Sequence, residues 1–223
     1  MPRRSRALRA ADEASDDEPD CKGVRRLRDT VFMYDEVTSE SVARLFYEIE
    51  HTRREQQDAC QGTPRVTIRI MSGGGDAYAG LAALDYLDEL RGKVHVTTVA
   101  DGLCASAATF LLLGGDHRVC GRHAHVLIHQ IRLGTGALGW VKFEEARDEI
   151  AGAAKLMERV RALYDERCTI PDGKMRELMT REVVLDASDA LAYGVVDAVG
   201  CAAAQDSTAP AARKKTSTRR TRA

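Results

Sequence analysis

Apolar residues either alternate with polar ones or recur at helical spacing from about residue 31 to residue 199. Val66, Ile68 and Ile70 alternate with polar neighbours, which is typical of a half-buried strand. The predicted strands are residues 31–34, 66–70, 94–100, 118–120, 124–128 and 183–185; the predicted helices are residues 39–50, a segment carrying Leu81 to Leu90 that ends at Gly92, and residues 105–113, 142–167 and 187–193. Strands that alternate with helices favour an α/β fold with a largely parallel sheet.

Polar and glycine-rich stretches between these segments predict loops. Residues 51–63 are polar and are expected to form a loop or a frayed helix end. Asp101-Gly102 is expected to turn the chain after a strand, and the glycine-rich residues 133–139 precede the longest helix.

The chain has 223 residues, a hydrophobic fraction of 44% and a charged fraction of 30%, which is typical of one globular domain with tails. We expect a domain over residues 23–201 between two disordered tails. Residues 1–22 are rich in arginine and then in acids, and residues 202–223 end in a basic run. The net charge of −1 excludes a globally basic nucleic-acid binder. The basic tail is either simply solvated or in contact with nucleic acid.

Membrane, secreted and metal-binding classes find little support. Apolar runs are too short to span a bilayer, and the basic N-terminus has no apolar segment behind it, so we expect a cytoplasmic protein. The six cysteines form no C-x-x-C pair, and we expect no cofactor. His123 and His125 would share one face of a strand and suit a metal, but two surface histidines are the simpler interpretation.

Three features carry candidate chemistry. Gly73, Gly74 and Gly75 lie between a strand and a helix, where backbone N–H groups can hold an anion or a developing oxyanion. A phosphate cradle is less well supported, because neither nucleotide-binding glycine motif is present. Ser106 falls at a strand–helix junction among small residues, and His129 ends an apolar strand.

A nucleophilic serine needs a base, and the base needs an acid to orient it. Glu182 and Asp186 compete for the place of the acid. Asp186 precedes a helix and has the pattern of an N-cap, which would engage its carboxylate with backbone N–H groups. Glu182 is therefore the better candidate.

Four motifs together resemble the proteolytic subunit family of the Clp protease, within the crotonase-like fold group. They are Met-Ser-Gly-Gly-Gly-Asp-Ala-Tyr-Ala-Gly at residues 71–80, Gly-Leu-Cys-Ala-Ser-Ala-Ala at 102–108, Leu-Ile-His-Gln at 127–130 and the segment at 181–197 that contains Arg-Glu-Val-Val-Leu-Asp-Ala. The resemblance implies repeated β-β-α units with a protruding handle helix over residues 142–167.

The same resemblance implies a serine endopeptidase that cleaves proteins inside an oligomeric ring chamber. Ser106 would be the nucleophile, His129 the base and Glu182 the acid, and the N–H groups of Gly75 and Ala107 would form the oxyanion hole. The family assembles as rings of seven, stacked in pairs, and its partner is an ATPase that unfolds proteins.

Departures from the family pattern point to a branch similar to phage or prophage enzymes. Glu182 stands in place of an aspartate, and Gly73 and Ile131 each stand in place of a proline. Two alternatives stay open at this point: an acyl-CoA hydratase or isomerase of the same fold, and a catalytically impaired structural subunit.

Overall fold

The computed structural model describes residues 23–59, 62–132 and 142–200. Both expected tails and the glycine-rich residues 133–139 lie outside the described residues. The strands are β1 (Gly23–Leu27), β2 (Thr30–Tyr34), β3 (Arg65–Ser72), β4 (His95–Ala105), β5 (His117–Cys120), β6 (His125–Leu127), β7 (Val184–Leu185) and β8 (Ala198–Val199). The helices are α1 (Ser39–Asp58), α2 (Ala77–Glu89), α3 (Ala108–Leu113), α4 (Phe143–Arg167), α5 (Asp172–Thr180) and α6 (Ala187–Ala192).

The described strands form one sheet in the order β1-β2-β3-β4-β5-β8, and β6 joins it by pairing with both β4 and β7. Strands β2, β3, β4, β5 and β8 run parallel to one another, and β6 pairs in parallel with β4. The pairs of β1 with β2 and of β6 with β7 are antiparallel. The predicted largely parallel α/β sheet is therefore confirmed.

The core lies between the sheet and the helices that connect its strands. Val66, Ile68 and Ile70 of β3 are buried, as their alternation predicts. Helix α3 is buried along its whole length, so it packs inside the molecule instead of on its surface. Burial of this kind contributes about 25 cal/mol for each Å² of apolar surface and is the main stabilising term of the fold.

The turn expected at Asp101-Gly102 is wrong, because β4 continues through both residues to Ala105. Arg69 of the neighbouring strand binds the Asp101 carboxylate at 2.6 and 2.7 Å, which keeps this stretch in the sheet. Gly102 has a φ of 52° and marks a change of partner. Before it, β4 pairs with β5, and after it, β4 pairs with β6. Helix α3 consequently begins at Ala108, three residues later than expected.

The prediction of a loop or a frayed helix end over residues 51–63 is also wrong over its first part, because α1 continues as a regular helix to Asp58. Thr52 is buried, and Arg26 of β1 binds Glu55 at 2.5 Å. The side chain of Gln56 both donates to and accepts from the backbone of Arg65, at 2.8 and 2.7 Å. These contacts keep the polar residues 51–58 in the helix, although this stretch lacks the apolar periodicity from which a helix is predicted.

Helix α4 matches the long helix predicted over residues 142–167. Its C-terminal part buries Val160, Leu163 and Tyr164, whereas Ile150 in its N-terminal part is 61% exposed. No helix in the described part of the chain is long and apolar enough to cross a membrane. Strand β1, helix α5 and strand β8 were not predicted.

Candidate active site

The three glycines form a bend between β3 and α2. Gly74 and Gly75 adopt φ values of 99° and 146°, which favour glycine. Val37 brackets the bend, since its N–H donates to the Gly74 carbonyl and its own carbonyl accepts from the Asp76 N–H, both at 2.8 Å. A Cβ at Gly75 would lie 2.3 Å from the Val37 oxygen, so a side chain cannot be accommodated there.

Ser106 lies in the short turn between β4 and α3, in contact with this bend. Its φ of 56° is uncommon for a residue other than glycine, and such backbone is typical of functional sites. The Ser106 N–H donates to the Leu127 carbonyl at 2.8 Å. A Cβ at Gly74 would lie 2.5 Å from the Ser106 Cβ, so the glycine lets the bend approach the serine closely.

The backbone N–H groups of Gly75 and Ala107, the expected oxyanion donors, have no acceptor within the described residues. The N–H of Gly74 is different, because it donates to the Ser72 hydroxyl at 3.1 Å. Gly75 also lines the cavity described next, whereas the Ala107 side chain is buried against Gly80. Unpaired N–H groups of this kind can stabilise a negatively charged oxygen.

A cavity of about 620 Å³ lies between the glycine bend and helix α4. Ser106 and His129 both line it, although they are far apart in the sequence, and no hydrogen bond joins them in this structure. The remaining lining residues are Gly73, Gly75, Asp76, Ala77, Tyr78, Ile131, Arg132, Glu149, Gly152, Ala153 and Leu156. A volume of this order is typical of ligand-binding cavities.

His129 follows β6 and the buried residue Ile128. Its Nδ1 lies 2.5 Å from the Gln130 carbonyl oxygen. A carbonyl oxygen only accepts hydrogen bonds, so this contact places the proton on Nδ1. In the neutral imidazole the Nε2 atom then keeps its lone pair, which is the form that a general base requires.

Glu182 lines a neighbouring cavity of about 460 Å³, which His129 also lines. The Glu182 carboxylate pairs with the guanidinium of Arg132, not with the imidazole. The structure thus brings the predicted acid near the predicted base without the hydrogen bond that a Ser-His-Glu triad needs.

The competing acid, Asp186, is the N-cap of α6, as its sequence context predicts. Its carboxylate accepts from the Ser188 hydroxyl at 2.6 Å and from the Asp189 N–H at 2.8 Å. These hydrogen bonds, first that of Ser188, lower the pKa of Asp186. The carboxylate is therefore engaged within its own helix.

Sequence reasoning missed two features next to the site. Arg132 forms an ion pair with the carboxylate of Glu182, and no sequence motif predicts this pairing. Thr109 binds both the Ser106 carbonyl and the hydroxyl of Tyr164. Among the residues that the structure describes, no group of three or more histidine, cysteine or acidic side chains is arranged to hold a metal ion.

Comparison with solved structures gives the same architecture. A mutant of ClpP1 from Listeria monocytogenes superimposes with a TM-score of 0.63 over 77% of this chain and 91% of its own, at 22% sequence identity. At that identity the likeness establishes the fold, which is that of ClpP.

Comparison of sequences extends the likeness to the family. ATP-dependent Clp protease proteolytic subunit 2 of Bacillus licheniformis is 36% identical over 138 residues, which are 60% of this chain and 68% of the relative. The proteolytic subunit of Cuscuta reflexa is 36% identical over 144 residues, which are 64% and 69% of the two chains. The placement in a phage branch stays a prediction. The Clp protease family model matches residues 21–202, a range that includes the glycine bend, Ser106 and His129, and the chain therefore belongs to the Clp protease family.

Proposed function

We propose that this member of the Clp protease family is a serine endopeptidase in which Ser106 is the nucleophile and His129 the general base. One observation carries the proposal: both side chains line a single cavity beside a glycine bend whose Gly75 N–H has no acceptor among the described residues. Nucleophile, base and oxyanion donor are the parts that acyl transfer requires.

In the proposed reaction the Ser106 oxygen attacks the scissile carbonyl while His129 Nε2 takes the hydroxyl proton. The N–H groups of Gly75 and Ala107 would bind the oxygen of the tetrahedral intermediate. Its collapse breaks the C–N bond, and the imidazolium returns the proton to the leaving amine. Water then cleaves the acyl-enzyme by the same steps.

Glu182 is the proposed acid that stabilises the imidazolium. The support is its position in the cavity that His129 shares, together with the engagement of Asp186 in a helix cap. For Glu182 to act, its carboxylate must leave Arg132 and replace the Gln130 carbonyl at His129 Nδ1.

The proposed substrates are proteins and peptides, cleaved inside stacked rings of seven subunits. Exposed apolar side chains on the N-terminal part of α4 support assembly through this helix, with Phe143 at 77% and Ile150 at 61% exposure. An Ile150→Glu variant should then sediment as a smaller species than the wild type.

A Clp-type ATPase partner, a cytoplasmic location and nucleic-acid contact by the basic tail stay predictions.

A catalytically impaired subunit is the second candidate, and it is favoured because neither Ser106 nor Glu182 makes a hydrogen bond to His129 in this structure. The acyl-CoA hydratase alternative has less support. Asp76, the acid beside the glycine bend, caps α2 by accepting from the N–H groups of Tyr78 and Ala79 at 2.7 and 3.4 Å. That engagement competes with acid–base chemistry.

A fluorophosphonate probe separates the three candidates, with Ser106→Ala as its matched control. Labelling of the wild type that disappears in the variant, together with hydrolysis of a fluorogenic peptide, supports the peptidase. An unlabelled wild type that still assembles favours the impaired subunit. Turnover of an enoyl-CoA favours the hydratase.

A further inference from the structure

A chain of two hydrogen bonds links helix α4 to the backbone of Ser106. The hydroxyl of Thr109 lies 2.6 Å from the Ser106 carbonyl oxygen and 2.5 Å from the hydroxyl of Tyr164. The carbonyl oxygen only accepts, so the Thr109 hydroxyl donates its single proton to it. Tyr164 must then be the donor to Thr109, and the chain runs from Tyr164 through Thr109 to Ser106.

The carbonyl at the end of this chain belongs to the same peptide unit as the Ala107 N–H. In a planar trans peptide the N–H and the C=O point in opposite directions, so fixing one fixes the other. The Ser106 carbonyl accepts twice, from the Thr109 hydroxyl and from the Thr109 N–H at 2.9 Å. Two donors on a carbonyl also polarise its peptide and make the N–H a stronger donor.

Burial removes this chain of hydrogen bonds from competition with water. Thr109 is fully buried and Tyr164 is 2% exposed. Burial raises the pKa of the Tyr164 phenol, even though the hydrogen bond to Thr109 acts in the opposite direction, so the tyrosine keeps its proton and remains a donor. The same helix lines the cavity through Gly152, Ala153 and Leu156, so the cavity wall and the serine turn are tied to one element.

We propose that Thr109 and Tyr164 are positioning residues that orient the Ala107 N–H as an oxyanion donor. The inference rests on the proposed peptidase function and adds to it the element that sets one half of the oxyanion hole. An oxyanion donor acts on the transition state and not on the bound substrate, so its misorientation lowers kcat and leaves KM unchanged.

The test compares four full-length variants. Thr109→Val keeps the shape of the side chain and loses its donor, Thr109→Ser restores the donor, and Tyr164→Phe removes the far end of the chain. Thr98→Val is the matched control, because the Thr98 side chain is equally buried and its hydroxyl donates to a carbonyl of the helix that carries Thr109. The acceptor is Leu112 of α3, at 2.7 Å, and the bond does not involve Ser106.

Hydrolysis of a fluorogenic peptide and the rate of fluorophosphonate labelling are measured beside thermal unfolding. We expect Thr109→Val to lower kcat by about 10- to 100-fold at an unchanged KM. Tyr164→Phe should lower kcat by a smaller factor, and Thr109→Ser should recover most of the loss. Thr98→Val should lose comparable thermal stability without a loss of kcat.

The inference is overturned if folded Thr109→Val keeps kcat within twofold of the wild type, or if Thr98→Val loses as much. Should Thr109→Val fail to fold, Tyr164→Phe decides instead: a kcat equal to that of the wild type overturns the inference. A wild type whose Ser106 does not react overturns the proposed function as well. A reactive wild type with an unaffected Thr109→Val overturns this inference alone.

Discussion

Glu182 and Arg132, 50 residues apart in the chain, form an ion pair in the cavity that also holds His129. Both side chains are largely exposed, at 61% and 67%. An exposed pair of this kind contributes only about 0.2–1 kcal/mol, so it is easily broken. The arrangement therefore places the candidate acid within reach of His129 while weakly holding it on another partner.

Removal of Arg132 should free this acid. We expect Arg132→Gln to raise kcat for a short peptide by about two- to fivefold, which corresponds to the strength of an exposed ion pair. Arg132→Lys keeps the charge and should stay close to the wild type. Peptide hydrolysis under initial-rate conditions measures the effect.

The salt dependence of the rate independently tests whether Arg132 competes with His129 for the Glu182 carboxylate. Screening weakens exposed ion pairs, so raising the salt concentration should increase kcat of the wild type and leave Arg132→Gln unchanged. Equal responses of the two proteins would show that the pair does not restrain the acid.

Replacement of the acid itself tests its role. Glu182→Gln should reduce kcat on the order of 10⁴-fold, because an amide orients the imidazole poorly and does not stabilise its charge. Asp186→Asn is the matched control: asparagine also caps helices, so neither stability nor rate should change much. An undiminished rate in Glu182→Gln would contradict its assignment as the third catalytic residue.

Local patterns predicted most of the fold. The alternation around Ile68 and the capping pattern at Asp186 each depend on residues close in sequence, and both gave the observed element. The continuation of β4 through Asp101 was missed because it depends on Arg69, 32 residues away. Contacts of that kind decide the outcome only once the chain has folded.

In the candidate site, too, local motifs predicted some residues and missed those defined by long-range contacts. Motifs with characteristic neighbours pointed to Ser106 and His129, which line one cavity. Arg132 and Tyr164 contact residues 50 and 55 positions away in the sequence, and no motif around either residue predicts those contacts. The residues that we propose to modulate the site are therefore harder to predict than the residues proposed to do the chemistry.

The glycine bend gives a prediction about stability. Gly74→Ala should destabilise the protein by about 1–3 kcal/mol, because its φ of 99° is strained for alanine and the new Cβ would collide with Ser106. Gly73→Ala is the control, since no atom lies within 4 Å of a Cβ there, and its unfolding free energy should change by less than about 0.5 kcal/mol. Urea denaturation measures both, and equal losses would contradict the packing described for the bend.

An ion pair between Arg118 and Asp197 ties β5 to the segment before β8 and makes the stability depend on pH. The Arg118 side chain is 7% exposed and binds Asp197 at 2.6 and 3.1 Å. Burial by itself would raise the pKa of Asp197, but the hydrogen bonds and charge of Arg118 outweigh it, and the pKa is lowered. A carboxyl whose pKa is lower in the folded state stabilises the protein above its unfolded value of about 3.9 and loses this contribution as the pH falls through the folded value.

Asp197→Asn should therefore destabilise the protein by about 2 kcal/mol at pH 7, less than for a fully buried pair because Asp197 is 37% exposed. The difference from the wild type should shrink as the pH falls below the unfolded value of about 3.9, where the Asp197 carboxyl of the unfolded chain begins to take up a proton. Asp165→Asn is the control: it belongs to an exposed pair with Arg161 at 3.9 Å and should cost less than about 1 kcal/mol at either pH. Urea denaturation at pH 7 and pH 3 distinguishes these outcomes, and a difference that stays constant between the two would show that Asp197 does not titrate as the pairing requires.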